Sequence, residues 1–137
     1  MKYASWIVRV GGNLVDGLAV VPLLVATDVS GLPVGVSVVL GAAGVALTVY
    51  SRWYLAGRTG QSWGRRVVGV YLVDDRTGQP VGVGRAALRD VAHLLDSLVL
   101  YLGWLLPVVT AKRQTIADMV CRTVVVREAL VEAPVAG

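Results

Sequence analysis

Residues 6–26 read WIVRVGGNLVDGLAVVPLLVA, and residues 33–54 read PVGVSVVLGAAGVALTVYSRWY. Each stretch is apolar and close to the length of about 20 residues that a helix needs to cross a bilayer. The short turn between them contains Asp28 but no lysine or arginine. The two stretches therefore predict a hairpin of two membrane helices, and this hairpin decides the fold class.

The composition of the 137-residue chain also favours a membrane location. Apolar residues make up 55% of the chain, charged residues only 16%, and the mean hydropathy is +0.67. A chain this short has too little interior to hide so many apolar side chains from water. The composition excludes a disordered chain, and the single cysteine, Cys121, excludes a scaffold of intrachain disulfides.

The distribution of basic residues predicts how the hairpin is oriented. Lys2 precedes the first apolar stretch, and several arginines follow the second: Arg58, Arg65, Arg66, Arg76, Arg85 and Arg89. Under the positive-inside rule, both ends of the hairpin lie in the cytoplasm and the turn at Asp28 lies outside. A basic, apolar chain also favours anionic lipid headgroups over nucleic acid as its charged partner.

Three polar residues interrupt the first apolar stretch, namely Arg9, Asn13 and Asp16. Arg9 and Asp16 are seven residues apart, so all three lie close to one face of a helix. A charged side chain at the centre of a membrane helix costs about 2.5–3.5 kcal/mol by insertion scales, so this stripe is expected to face protein or water. It is either an ion, proton or ligand site, or a clasp that holds helices together, and Arg9 alternatively snorkels to the cytoplasmic interface.

The third apolar stretch, at about 94–111, leaves two topologies open. It either spans the membrane or turns back near Gly103 or Pro107 as a re-entrant element. Valine-rich segments at 67–73 and 123–126 both predict strands. Short strands need partners, and these two can pair only if they lie on the same side of the membrane. That requirement favours the re-entrant topology and a cytoplasmic C-terminus.

The predicted fold class is an all-α membrane hairpin or bundle with a small cytoplasmic β-rich cap. We expect a single domain over residues 1–137. Its predicted segments are membrane helices 6–26 and 33–54, a cytoplasmic loop and β-hairpin 57–90, a third hydrophobic element 91–111, and a cytoplasmic tail 112–137 with a strand at 123–126.

Two further groups of residues are secondary candidates for a site. Arg89, His93 and Asp96 share one face of a predicted helix, where a histidine and an aspartate either relay protons or form an anchoring hydrogen bond. The glycine- and arginine-rich loop is expected to lie along the membrane surface, where its arginines meet anionic headgroups. Its alternative role is a backbone nest for an anionic ligand. The loop residues are Gly60, Ser62, Trp63, Gly64, Arg65 and Arg66.

Several motifs, in this order along the chain, resemble the RDD family of small bacterial membrane proteins. The family has an arginine and an aspartate seven residues apart in its first helix, as Arg9 and Asp16 are. Its loop motif is similar to residues 60–65, which precede the valine-rich strand. Its second aspartate follows a basic run, and the matching segment here is KRQTIAD at 112–118. The resemblance covers about residues 4–126.

The resemblance implies that Arg9, Asp16 and Asp118 form a charge cluster at the cytoplasmic end of the bundle in a bacterial plasma membrane. The family often has histidine before its second aspartate, whereas this chain has Ala117. Transport, including cation/proton exchange, has been suggested for some family members, and other members look like accessory proteins.

Two functions therefore stay open for this chain. One is a homo-oligomer that moves a cation, a proton or a small solute. The other is a non-enzymatic accessory or assembly subunit of a larger membrane complex. The sequence shows no catalytic set, metal-ligand spacing or phosphate-binding loop, so we expect no enzyme activity, no cofactor and no metal.

Overall fold

The computed structural model describes residues 2–29, 31–99 and 101–127, and the predicted tail beyond residue 127 lies outside the described residues. The chain is mostly helical and begins with two long apolar helices. Helix α1 is Trp6–Val29. Helix α2 is Val34–Thr48 and continues through a π-helical segment, Val49–Leu55, into α3, Ala56–Thr59. By length and composition, Trp6–Asp28 and Val34–Thr59 are each able to cross a membrane.

The remaining elements are shorter. They are α4 (Trp63–Val67), β1 (Tyr71–Asp74), α5 (Val83–Leu98), α6 (Leu102–Val109), α7 (Ile116–Cys121) and β2 (Thr123–Val126). We call residues 60–82 and 110–127 the cap, and we call the end of the hairpin where Trp6 and Thr59 lie the cap end.

The two apolar helices pack together through a small residue. Gly44 in α2 is buried, and a Cβ atom added there would lie 3.1 Å from Leu24 Cδ2 and 3.5 Å from Val20 Cγ1 of α1. The small residue therefore lets the two helices approach closely, as expected for helix packing in lipid.

The cap contains a two-stranded antiparallel sheet in which Tyr71 is opposite Val126 and Asp74 is opposite Thr123. Strand β2 covers the predicted strand at 123–126, but β1 starts four residues later than predicted, because Val67 is the last residue of α4. The β-hairpin predicted within 57–90 is reduced to a single bridge between Val73 and Pro80. The sheet instead joins two segments that are distant in sequence.

A small apolar core holds the cap to the start of α1. Ala4, Val70, Leu72 and Val125 are buried together, along with Val81 and Ala86. The N–H of Ala4 donates to the carbonyl of Val125 at 2.8 Å, so the segment before α1 is hydrogen-bonded beside β2.

The third hydrophobic segment is a pair of helices, α5 and α6, that meet at a bend of 100°. At the start of the pair, the backbone of Val83 packs against Gly57, where an added Cβ would be only 2.5 Å from Val83 Cα. In α6, the carbonyl of Trp104 accepts a hydrogen bond from Trp6 Nε1 at 2.8 Å. Both helices of the pair therefore contact the cap end of the hairpin, and the bend fits both a broken span and a re-entrant element.

Candidate functional site

Asp118 lies at the centre of a buried ion-pair network, and it is fully buried. Its Oδ2 accepts a hydrogen bond from Arg9 Nη1 at 2.7 Å, and its Oδ1 accepts one from Arg89 Nε at 2.5 Å. The hydroxyl of Thr123 also donates to Oδ1, at 3.2 Å. One carboxylate therefore ties α1 and α5 to the helix and strand that end the cap.

The first turn of α7 positions this carboxylate. Thr115 is the residue before the helix, and its hydroxyl accepts a hydrogen bond from the N–H of Asp118 at 3.2 Å. In return, Asp118 Oδ2 accepts from the N–H of Thr115 at 3.3 Å. This reciprocal pair is a capping box, which stabilises the start of a helix by satisfying its free N–H groups. The same carboxylate thus caps its own helix and binds two arginines.

Two cations beside one carboxylate determine the ionisation of the site. Burial acts to raise the pKa of Asp118, but the charges of Arg89 and Arg9 and the hydrogen bond from Arg89 outweigh it and hold that pKa well below its usual range. Asp118 is therefore ionised throughout the physiological pH range and is bonded to arginine rather than available to a proton or a cation.

Asp16 is held by the loop between α3 and α4 rather than by Arg9. Its Oδ2 accepts a hydrogen bond from the Ser62 hydroxyl at 2.6 Å, and its Oδ1 accepts one from the N–H of Gly64 at 2.8 Å. A Cβ atom on Gly64 would lie 1.8 Å from the carbonyl oxygen of Gly12, so only glycine lets this backbone reach α1. The close approach brings the Gly64 N–H within reach of the carboxylate.

The structure therefore separates the Arg9, Asp16 and Asp118 cluster implied by the resemblance into two sites. Seven residues along a helix is a rise of about 10.5 Å, so side chains on one face of α1 are still two turns apart. Arg9 meets Asp118 near the start of α1, and Asp16 meets the loop two turns further along. Asp16 has no ion pair with Arg9 among the residues that the structure describes.

The loop that contains Ser62, for which the sequence favoured a membrane-surface position, is well ordered by its own hydrogen bonds. Gly60 has φ +79° and ends α3, in a backbone conformation that glycine adopts without strain. Ser62 caps α4 by accepting a hydrogen bond from the N–H of Arg65 at 3.3 Å. Ser62, Gly64 and Arg65 are buried, Trp63 is half-buried, and the side chain of Arg66 is exposed. The loop packs onto α1, and its position relative to lipid headgroups stays a prediction.

Arg65 is a buried cation in this region. Its Nη1 has no hydrogen-bond partner among the described residues. Burial, together with the neighbouring charges of Arg89 and Arg52, lowers the pKa of Arg65 to about 9. At neutral pH the side chain remains positively charged, so it adds to the positive potential between the cap and the hairpin.

The secondary candidates His93 and Asp96 organise the other side of α7. Asp96 is fully buried and accepts hydrogen bonds from the N–H groups of Ile116, at 2.8 Å, and Ala117, at 3.4 Å. His93 Nδ1 lies 2.7 Å from Asp96 Oδ2, and the imidazole stacks on Trp104 with ring centroids 4.5 Å apart. This geometry fits the anchoring alternative, in which the pair fixes helix ends, better than a proton relay.

The sequence reasoning missed an ion pair between Arg52 and Asp90. Arg52 Nε and Nη2 donate to the two oxygens of Asp90 at 2.8 and 3.0 Å, and Trp53 Nε1 donates to the same carboxylate at 3.2 Å. Arg52 lies in the π-helical segment and Asp90 lies in α5. An arginine near the end of an apolar stretch was the available signal, but nothing in its spacing identifies a partner 38 residues away.

A cavity of about 290 Å³ lies beside this ion pair and is lined by Val10, Asn13, Leu14, Arg52 and Trp104. The side-chain amide of Asn13 has no hydrogen bond to any residue that the structure describes. Asn13 thus separates from Arg9 and Asp16, which share its helix face, and instead faces this cavity together with Arg52.

An apolar helical hairpin, closed at one end by a polar network and a small sheet, defines a membrane-type helical domain. The profile of the RDD family matches residues 3–122, and the chain belongs to this family. Two curated relatives from Mycobacterium tuberculosis strains, each described as a proline-rich antigen homolog, are 32% identical over 91% of this chain.

The relatives are longer than this chain, because the match covers 63% of each Mycobacterium tuberculosis protein. The proline-rich antigen of Mycobacterium leprae is 38% identical over 58% of this chain and 32% of its own length. No solved structure matches the chain. These comparisons give a family, and the site must be interpreted from its own geometry.

Proposed function

We propose that the chain is a multi-pass protein of the bacterial plasma membrane with its cap in the cytoplasm. The α1 and α2 hairpin has the length and composition of two membrane spans. The end of α1 at Asp28 and the residues up to 33 include no basic residue, whereas Arg58, Arg66 and Arg76 are exposed near the cap end or in the cap. This asymmetry supports a cytoplasmic cap by the positive-inside rule.

Within that membrane, we propose a non-enzymatic accessory or assembly role in which the charged network is a scaffold. The observation that carries this proposal is that both oxygens of each candidate carboxylate accept hydrogen bonds from the chain itself. Asp118 binds two arginines, and Asp16 binds Ser62 and the Gly64 N–H. A buried network of this kind fixes the arrangement of the parts it joins, and its carboxylates are occupied by contacts that hold the cap and the hairpin together.

The composition of the complex in its native membrane tests the accessory role. We expect the chain, extracted gently with its surrounding lipid, to carry at least one larger membrane protein in fixed stoichiometry. The measurement is native mass spectrometry, with every associated chain identified by peptide sequencing. A complex made only of copies of this chain would reject the accessory role and leave the transport role below.

One observation favours transport by a homo-oligomer as a second candidate. The cavity lined by Asn13, Arg52 and Trp104 lies beside the first membrane helix and offers an unbonded amide. A single chain of 14.5 kDa is too small to enclose a path, so copies of the chain would have to complete it. In that case the polar stripe of α1 would line the route of a cation, proton or small solute.

Asp16→Asn separates the two roles. Asparagine has the same shape as aspartate and keeps an oxygen for the Gly64 N–H, while its amide donates to the Ser62 hydroxyl, so we expect the fold to change little. If the chain is a scaffold, the variant keeps its association with the larger membrane protein. If the carboxylate carries the ion, cation or proton flux in proteoliposomes is lost.

The matched control for this experiment is Asp28→Asn in the last turn of α1, at the opposite end of the helix from the cap. Flux that is equal in the wild-type protein and in a folded Asp16→Asn variant would remove ion transport through this carboxylate. Flux that is absent from the wild-type protein would remove ion transport altogether and leave the scaffold role.

A further inference from the structure

Helix α5 has its polar and apolar faces the opposite way round from a helix on the surface of a soluble protein. Its polar face, with Arg89, His93 and Asp96, is buried against the rest of the chain. Its apolar face is open, and Leu94 and Leu98 are 64% and 76% exposed. A helix with an exposed apolar face and a protein-facing polar side is suited to lie at a membrane interface, where lipid covers the apolar side chains.

A basic cavity lies at the N-terminal end of this apolar face. Its volume is about 440 Å³, and we call it the arginine basin. Its lining consists of Asp74, Arg76, Thr77, Arg85, Leu88, Val120, Cys121 and Arg122. Leu88 and Val120 are also exposed, so the basin is continuous with the apolar surface that α5 and α7 present.

The charges of the basin do not balance. Arg85 is already engaged, because its Nη1 bonds Asp74 Oδ2 at 2.6 Å and its Nη2 donates to the carbonyls of Cys121 and Arg122. The guanidinium groups of Arg76 and Arg122 have no hydrogen bond or ion pair with the described part of the chain. With Asp74 neutralised by Arg85, the basin carries two uncompensated positive charges beside an apolar surface.

We propose that the arginine basin binds the phosphate group of an anionic membrane phospholipid, whose acyl chains lie against Leu88 and the exposed face of α5. Arginine suits this ligand because its planar guanidinium donates paired hydrogen bonds to phosphate oxygens. The apolar rim distinguishes a lipid from a soluble phosphate, which would have no use for it. This site differs from the loop at residues 60–66, and it depends on neither role proposed above.

Lipid titration of the full-length protein in detergent tests this proposal by native mass spectrometry. We expect short-chain phosphatidylglycerol to bind more tightly than short-chain phosphatidylcholine. Each arginine at a membrane surface contributes about a fivefold gain for anionic lipid, so Arg76→Gln with Arg122→Gln should weaken phosphatidylglycerol binding about 30-fold. Both side chains are exposed and unbonded, so thermal stability should be unchanged.

Two controls make the test specific to the basin. Arg58→Gln with Arg66→Gln removes the same charge from exposed positions elsewhere, and phosphatidylglycerol binding should stay at the wild-type value. Leu88→Asn keeps every arginine but removes part of the apolar rim, and it should weaken phosphatidylglycerol binding several-fold while leaving any binding of inorganic phosphate unchanged.

Three results would overturn the proposal. One is equal phosphatidylglycerol binding by the wild-type protein and the Arg76 and Arg122 double variant. Another is an equal loss in the Arg58 and Arg66 control, which would indicate general surface charge. The third is displacement of phosphatidylglycerol by an equal concentration of inorganic phosphate with no effect of Leu88→Asn, which would assign the basin to a soluble phosphate compound.

Discussion

Asp118→Asn is expected to lower the free energy of unfolding in detergent by about 3–5 kcal/mol, the range observed when one partner of a buried ion pair is removed. The substitution leaves Arg9 and Arg89 buried without an anion between them. The amide keeps the shape of the carboxylate, so the loss reports charge rather than packing. The measurement is thermal or denaturant unfolding followed by tryptophan fluorescence.

The control for this variant is an exposed ion pair. Lys112 and Asp75 are 3.3 Å apart, and the lysine side chain is 47% exposed. Lys112→Gln should therefore cost no more than about 1 kcal/mol. An Asp118→Asn variant as stable as the Lys112→Gln variant would show that the network does not hold the cap to the hairpin.

The pH dependence gives a second test of the same carboxylate. The pKa of Asp118 is lower in the folded protein than its usual value of about 3.9, so its stabilisation is fully present above pH 4. The stabilisation is lost as the pH falls from about 4 through the lower folded-state pKa. Below pH 4, the free energy of unfolding of the wild-type protein should therefore fall more steeply with falling pH than that of Asp118→Asn. Parallel profiles for the two proteins would contradict a lowered pKa of Asp118 in the folded protein.

Gly64→Ala is the second substitution with a large expected effect. The added methyl group would lie 1.8 Å from the Gly12 carbonyl oxygen and 2.9 Å from Asp16 Cγ, and the first contact involves rigid helix backbone. The loop must then move away from α1 and lose its bonds to Asp16. We expect a loss of about 3 kcal/mol, at the upper end of the usual cost of overpacking.

Gly84→Ala is the matched control, because Gly84 lies in α5 and an added Cβ there meets no atom within 4 Å. This control should be neutral or stabilising, since alanine is the better helix former. The measurement is the unfolding midpoint of both variants in the same detergent. Equal midpoints would show that the close approach of Gly64 to Gly12 does not contribute to stability.

The two apolar helices could be predicted because length and apolar composition directly reflect the thickness of a bilayer. The α2 helix extends to α3 beyond the predicted end at residue 54, through a π-helical segment that contains Arg52. Within that extension, Asp90 of α5 neutralises Arg52. A pairing between distant segments leaves no periodic signal in either of them.

The charged residues of the site could also be predicted only in part, because local spacing is informative and distant pairings are not. Helical spacing correctly predicts that Arg9 and Asp16 share a face, but it does not predict which residue each one meets. The partner of Arg9 became a candidate only through the family resemblance, because Asp118 lies in a short helix without a strong pattern of its own. The strand predicted at 67–73 starts later for a local reason. Ser62 caps helix α4, and Val67 is the last residue of that helix.

The Arg9 and Asp118 pair also has a consequence for biosynthesis. The two residues are 109 positions apart, so Arg9 leaves the ribosome long before its counter-ion is made. At roughly 5–20 residues per second, translation of the intervening chain takes about 5–20 s. During that interval the first helix exists with its arginine unpaired by Asp118, and the cap completes its contacts with the hairpin only when the last strand has been synthesised.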